Sequence, residues 1–199
     1  EKELSVIVAR NEDGEIKSFP VVELEFHPEA NLVEFLKCPA QITKEQEQKA
    51  ESLARKCIEA FEMVGILAVE MFLTKKGEIL VNEVAPRTHN SGHQSIEGNV
   101  CSQFEQHMRS ILNLPLGDPS IIQPSVMINL LGEEGFSGPV WYEGLEEVIK
   151  IAGVHPHIYG KKQTKPYRKM GHVSITGEEL SDVLAKAKKV KSTLKVKSR

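Results

Sequence analysis

Two apolar runs, ILAVEMFL at residues 66–73 and ILVNEV at residues 79–84, are separated only by TKKGE. Short runs rich in Val, Ile, Leu and Phe around a Gly-containing break predict a β-hairpin. With Lys76-Gly77 as a two-residue turn, Lys75 pairs with Glu78 and, counting back, Glu70 pairs with Glu83. Side chains alternate along a strand, so Ala68, Glu70 and Phe72 share one face, matched by Ile79, Val81 and Glu83 on the partner. Directly opposed residues have Cβ atoms about 5 Å apart, and like charges there destabilise a sheet. Two carboxylates among apolar neighbours need a shared proton, a cation or a divalent metal. Oxygen donors alone favour Mg²⁺, Ca²⁺ or Mn²⁺ over zinc, and Mg²⁺ is commonly held by one or two carboxylates plus substrate phosphates. The other reading is an edge hairpin in which each glutamate meets its own lysine.

The segment beyond the second strand decides between them. Pro86 cannot continue a sheet ladder, and the chain leaves the sheet carrying Arg87, His89, Asn90, Ser91 and His93. An arginine fork suits phosphate or carboxylate, and a turn through Asn90-Ser91-Gly92 offers backbone N–H groups to an anion. His89 and His93 have zinc-like spacing, but no helix is expected across Ser91-Gly92 and no third ligand stands nearby. Loop histidines are commonly structural donors; their clustering beside Glu83 points to a ligand pocket. A second basic stretch, YGKKQTKPYRKMGH at 159–172, lies between two predicted strands. Such runs are usually solvated, yet its placement makes Lys161, Arg168 and Lys169 candidates for a phosphate contact.

Around these features the chain reads as α+β. A hairpin is expected over residues 3–25 with Asp13-Gly14 at its turn, and a strand and loop within residues 27–42. The strongest predicted helix spans 44–64, with Thr43 and Gln46 as a capping box. It carries an apolar stripe of Ala50, Leu53, Ala54, Cys57, Ile58, Phe61 and Val64, and Gly65 is expected to stop it. A helix through SQFEQHMRSILNL is closed by Pro115, and Leu116-Gly117 and Asp118-Pro119 mark a boundary. Beyond it come a strand in PSVMINLLG, a short helix in YEGLEEVIKIAG, strands in HPHIYGK and RKMGHVSIT, and a final helix in GEELSDVLAKAKKVKSTL. The basic tail from Lys186 reads as a solvated helix end and a frayed terminus. The expected domains are 1–117 and 118–199.

Composition narrows the class. The 199 residues are 40% hydrophobic and 27% charged, which excludes collagenous, disordered and membrane-embedded chains. A net charge of −3 shows no general attraction to nucleic acid or anionic lipid. No apolar run approaches the ~20 residues of a bilayer span. Three dispersed cysteines, Cys38, Cys57 and Cys101, form no C-x-x-C pair and read as reduced thiols of a cytoplasmic protein. No initiator Met is present and the first residues already read as sheet, so the chain is expected to be the C-terminal part of something longer.

The stretch AVEMFLTKKGEILVNEVAPRTHNSGHQSIEG resembles the matching segment of the 5-(carboxyamino)imidazole ribonucleotide synthases, ATP-grasp enzymes of purine biosynthesis. EKELSVIVAR, SQFEQHMRSILNLPLGD, PSVMINLLG and HIYGKKQTKPYRKMGHV extend the likeness over nearly the whole chain. The resemblance implies the C-terminal part of an ATP-grasp domain, an antiparallel sheet with flanking helices, followed by a small mixed β/α domain. It implies Mg²⁺ on Glu70 and Glu83, and ATP contacts from Asn82, Glu83 and His27. Arg87, His89, Asn90 and His93 would line the substrate pocket, with Arg87 stabilising charge during catalysis. Lys161 and Arg168 would grip the ribonucleotide phosphate, with Lys169 beside them. The implied reaction joins bicarbonate to aminoimidazole ribonucleotide with conversion of ATP to ADP and phosphate, through carboxyphosphate, in a homodimer.

Three departures qualify the resemblance. Ala85 stands where many ATP-grasp enzymes have a third metal-binding Asn, as it does in this family. The usual Arg-Pro-Gly-Arg of the phosphate loop reads Lys165-Pro166-Tyr167-Arg168. The family's N-terminal portion, with the lysines and glycine-rich loop over the phosphates, has no counterpart before Glu1, so the chain alone is expected to be inactive. The alternatives are another ATP-grasp carboxylate–amine ligase and a non-catalytic ribonucleotide-binding half of a split enzyme.

Overall fold

The computed structural model describes residues 1–26 and 33–199; His27 lies outside the described residues. The elements run β1 (Lys2–Arg10), β2 (Ile16–Ser18), β3 (Val22–Phe26), β4 (Val33–Cys38), α1 (Lys44–Ala60), β5 (Gly65–Leu73) and β6 (Ile79–Ala85). Next come a 3₁₀ turn (Asn90–Gly92), α2 (Ser95–Gly98), α3 (Gln103–Ile111), β7 (Ser125–Leu131), β8 (Gly138–Glu143) and α4 (Leu145–Val148). The chain ends with β9 (Val154–Ile158), β10 (Gln163–Thr164), β11 (Lys169–Thr176), α5 (Leu180–Thr193) and β12 (Lys195–Ser198). The expected α+β class holds: among the described residues nine strands form one sheet in the order β6-β5-β1-β3-β4-β7-β11-β9, with β2 added on β1.

Local chemistry explains several boundaries. The expected first hairpin is split at Phe19-Pro20 into β2 and β3, both pairing with β1, because proline has no N–H to give the ladder. The capping box forms as expected, with Gln46 N–H donating to Thr43 Oγ1 at 3.3 Å and Thr43 N–H to Gln46 Oε1 at 3.0 Å. The helix ends sooner than expected, at Ala60. Glu62 takes φ 49°, and Glu62 N–H and Met63 N–H return to Glu59 O and Ile58 O. That wrap closes the carbonyl end of the helix, so Phe61 and Val64 are exposed and Gly65 opens β5 instead.

Paired residues share a sheet face, which sorts the core. On one face α1 packs Ala50, Ala54 and Ile58 onto Leu4, Val6, Leu67 and Val69, while α5 packs Val183, Ala187 and Val190 onto the β7–β11 half. Between these clusters, the same face carries Lys37 bonded to both Glu23 and Glu25, with Lys2 on Glu23 at 2.8 Å. The opposite face is more polar. Here α3 is inverted relative to an ordinary surface helix: Gln103, Gln106 and Ser110 are buried, and Phe104, Met108 and Ile111 face outward.

The tail departs from expectation. Lys195–Ser198 is not frayed but forms β12, pairing with β8 in a separate three-stranded sheet and burying Val196 in the α5 core. Basic residues alternate with Val196 there, and a four-residue strand anchored by one apolar side chain leaves a weak sequence signal. The 117/118 point falls between buried Leu116-Gly117 and exposed Asp118, and the sheet itself continues across it, with Leu36 opposite Met127.

Candidate active site: a carboxylate pair beneath a histidine loop

The β5–β6 hairpin places Glu70 directly opposite Glu83. The route to that register differs from expectation in two compensating ways. The turn is a three-residue loop closed by Thr74 N–H on Glu78 O at 2.9 Å, with Gly77 at φ 78°, so Leu73 pairs with Ile79. A bulge then inserts Asn82, with Met71 opposite Val81 and Glu70 opposite Glu83. This corrects the faces: Leu80 shares the side of Phe72, Glu70 and Glu83, whereas Ile79 and Val81 lie on the α1 side. Phe72 and Leu80 are exposed apolar surface next to the pair.

Burial, then the charge of Glu83 and then that of Glu3, raise the Glu70 pKa above its ordinary value, while Lys169 lowers it. Among the described residues neither carboxylate has a lysine or arginine ion-pair partner. The one basic group in range is His89, whose Nδ1 lies 3.7 Å from Glu70 Oε1. That imidazole is held neutral. Its pKa is lowered to about 4 by burial, then by the charges of Arg87 and Lys169. Its Nδ1 also accepts the Ser91 N–H at 3.3 Å, which places its proton on Nε2. Glu70 and Glu83 therefore fit a divalent cation: two opposed acceptors, Glu70 partly buried and Glu83 exposed, with no lysine or arginine at ion-pair distance among the described residues.

Above the pair, residues 87–106 cross the polar face of the sheet. The break at Asn90–Gly92 is a 3₁₀ turn, correcting the expectation of no helical structure across Ser91-Gly92. The segment is pinned to three strands, β1, β7 and β9. Ser91 Oγ bonds Ser5 Oγ of β1 at 2.8 Å and His89 Nδ1 at 2.9 Å. Asn90 and Asn129 of β7 exchange amide hydrogen bonds at 2.9 and 3.2 Å. Gln94 Oε1 accepts from Ser125 Oγ at 2.8 Å, and Glu97 Oε1 pairs with His157 Nε2 of β9 at 2.8 Å.

Three imidazoles form the far wall. His172 of β11 stacks on His157 at 4.4 Å between centroids and lies 4.7 Å from His93, which stacks on Phe104. Burial pushes the His93 pKa down to about 4 and that of His172 to about 3, with neighbouring histidines adding to it.

The basic loop meets the carboxylates through Lys169. Its ammonium loses hydration, which lowers its pKa; Glu70 opposes that shift, and Arg87 and Lys161 add to it. Lys169, Arg87 and Lys161 thus share one positive field beside Glu70. Lys161 donates to Lys169 O at 2.6 Å and Arg168 to Gln163 O at 2.8 Å, so both brace their own loop. Tyr167 adopts φ 61°, the left-handed conformation open to glycine, and its N–H is held by Gly132 O at 2.8 Å. The Tyr167 departure therefore leaves a glycine-like turn in place at a cost of about 1–2 kcal/mol.

The structure brings together Glu70, Glu83, Arg87, His89, Lys161 and Lys169. Asn90 and His93 lie further along the loop, fastened to β7 and α3; Asn82 is exposed at the bulge and Arg168 turns to its own loop. The sequence reading passed over Ser5, Gln103, Asn129, His157 and His172. Only the alternation of polar residues in β7 and β11 hints at them.

An antiparallel sheet ending in a hairpin with opposed glutamates, overlaid by a basic loop, defines the C-terminal part of an ATP-grasp domain. Residues 1–104 match the ATP-grasp domain family, and residues 125–186 the phosphoribosylaminoimidazole carboxylase C-terminal domain. The chain belongs to the ATP-grasp family. It is 46% identical over 173 residues to the N5-carboxyaminoimidazole ribonucleotide synthase of Bacillus subtilis, covering 87% of this chain and 43% of that protein. It is 43% identical over 187 residues to the chloroplastic phosphoribosylaminoimidazole carboxylase of Vigna aconitifolia, covering 92% of this chain and 33% of the relative. Among solved structures, the N5-carboxyaminoimidazole ribonucleotide synthetase of Thermotoga maritima superposes with a TM-score of 0.93 at 52% identity, covering 100% of this chain and 53% of the other. The Aspergillus clavatus synthase, in complex with ADP and 5-aminoimidazole ribonucleotide, gives 0.87 at 35% identity, covering 96% and 50%. The chain thus spans half or less of the two curated relatives it matches here.

Proposed function

We propose that this chain is the C-terminal part of an ATP-dependent ligase of purine biosynthesis that carboxylates 5-aminoimidazole ribonucleotide with bicarbonate, giving ADP and phosphate. The observation that carries the reading is the Glu70–Glu83 pair, opposed across the hairpin and, among the described residues, without a lysine or arginine at ion-pair distance. Glu70 and Glu83 would hold Mg²⁺, which when bound neutralises charge on the ATP phosphates. Asn82, projecting from the bulge beside Glu83, would contact the nucleotide. The His27 contact implied by the family resemblance belongs to the same reading.

Arg87 and Lys169 place fixed positive charge beside the pair, where a carboxylate or phosphoryl group develops negative charge. His89, held neutral with its proton on Nε2, would donate a hydrogen bond to substrate without adding a charge. Asn90 and His93 would complete the pocket wall, with Lys161 and Arg168 as the phosphate grip; binding fixes the acceptor amine in orientation. A cytoplasmic homodimer belongs to the same proposal, supported by the outward apolar row Phe104, Met108 and Ile111 on α3.

The test uses the complete enzyme, with the N-terminal portion supplied, and follows ATP-dependent incorporation of labelled bicarbonate into aminoimidazole ribonucleotide. Glu83→Gln should lower turnover by ~10²-fold or more with unchanged circular dichroism. Undiminished rates in that variant would remove the metal role. Phosphate release coupled to a different amine would move the assignment to another ATP-grasp ligase.

A further inference from the structure

Gln103 is wholly buried at the start of α3, and its amide is engaged on every side. Oε1 accepts the His89 backbone N–H at 2.9 Å. Nε2 gives one hydrogen to the His89 carbonyl at 2.7 Å and lies 2.9 Å from His93 Nδ1. The two bonds to the His89 backbone fix which end of the amide is oxygen, since a backbone N–H needs the acceptor and a carbonyl needs the donor. The nitrogen then has one hydrogen left and no lone pair to offer. His93 Nδ1 must therefore be the acceptor, and its proton sits on Nε2.

The surroundings are built around this amide. Gln103 N–H donates to Ser95 Oγ at 2.9 Å, which in turn donates to Gly92 O at 2.5 Å. A Cβ on Gly92 would stand 2.5 Å from Gln103 Oε1, although the Gly92 backbone is open to any residue. Glycine is required there by the amide, not by the turn.

We infer that Gln103 is a positioning residue: it locks the His89–His93 loop and presents His93 to the pocket as a neutral imidazole with its proton on Nε2. This rests on the reading of that loop as the substrate wall. The groups facing His93 are His89 on its own loop, His157 of β9, and His172 and Lys169 of β11, with Phe104 stacked on it from α3. Burial first, then His89, Lys169 and His157, oppose a positive charge on the ring.

The test is ¹⁵N–¹H correlation NMR of the histidine-labelled chain. Wild-type His93 should show the pure Nε2–H tautomer and stay neutral to about pH 5. Gln103→Glu keeps an acceptor for the His89 N–H but replaces the donor at His93 by a carboxylate. His93 should then become an imidazolium at pH 7, where the wild-type ring is protonated in about one molecule in a thousand. Gly92→Ala, which displaces the amide without adding charge, should convert the pure tautomer to a mixture. An Nδ1–H tautomer, a wild-type titration near the ordinary value, or an unchanged His93 in both variants would overturn the assignment. The wild-type tautomer decides the matter even if Gln103→Glu fails to fold. Adding aminoimidazole ribonucleotide to the same wild-type sample tests the pocket separately, since a silent His93 signal would count against the substrate reading while leaving the tautomer measured.

Discussion

The residues of this site are defined by what they withhold as much as by what they present. Glu70 keeps its carboxylate near Glu83 with no lysine or arginine at ion-pair distance among the described residues, and the nearest imidazole is prevented from charging. His89 and His93 at about 4 and His172 at about 3 all lie below the ordinary histidine value because burial dominates. The consequence for stability has a definite sign. In the unfolded chain these rings take up protons near pH 6.5; in the folded chain they do so only below about 4. Unfolding therefore binds protons in that window, and stability falls as pH drops from 6.5 toward 4, with a slope of about 1.4 kcal/mol per pH unit for each ring. Glu70, shifted upward, contributes the opposite slope above its unfolded value and offsets part of this. Urea titrations at pH 7, 6 and 5 should show the decline, and His172→Asn should flatten it by about one proton. A profile that is level over this range would contradict the burial of the three rings.

At the scale of elements, the hairpin shows how a correct contact can arise from an incorrect count. A two-residue turn with regular pairing, and a three-residue turn with one bulge, both set Glu70 opposite Glu83. They differ in which face Ile79, Val81 and Leu80 take. The sequence TKKGE permits either turn, and only packing of Ile79 and Val84 against the α1 core selects the second. The helix start was legible because it is local: Thr43 and Gln46 satisfy each other's backbone regardless of the rest of the fold. Thr43→Ala should cost about 1 kcal/mol in urea unfolding, without changing the denaturant slope; an unaltered midpoint would mean that the cap is idle. The polarity of α3 was not legible, since its buried side carries glutamines. Gln103 bonds the backbone of His89, and Gln106 likewise bonds both N–H and C=O of Gly117, at 2.7 and 3.0 Å. Amide side chains can stand in for a missing ladder partner, and a hydropathy pattern records them as surface.

For the whole molecule, the decisive feature is a sheet that does not stop where the composition changes. β4 and β7 pair across the 117/118 point, Phe35 joins the α5 core, and residues 90, 94 and 97 are tied to β7 and β9. One cooperative unfolding transition is expected for the 199 residues in calorimetry, and pieces cut between Gly117 and Asp118 should each lose it. Two resolved transitions in the intact chain would show that the halves are independent.

The same geometry separates what could be read in advance from what could not. Alternation along a strand is a property of neighbouring peptide units, so residues 66–85 were enough to bring two glutamates face to face, and the segment from Arg87 to His93 then favoured a cation between them. The tautomers of the histidines, the amide that sets them and the wall of stacked rings depend on partners far along the chain: 86 residues from Ser5 to Ser91, 60 from Glu97 to His157. Such contacts form only after the sheet is assembled, because the burial and the donors that decide each proton are supplied by strands the local sequence does not contain.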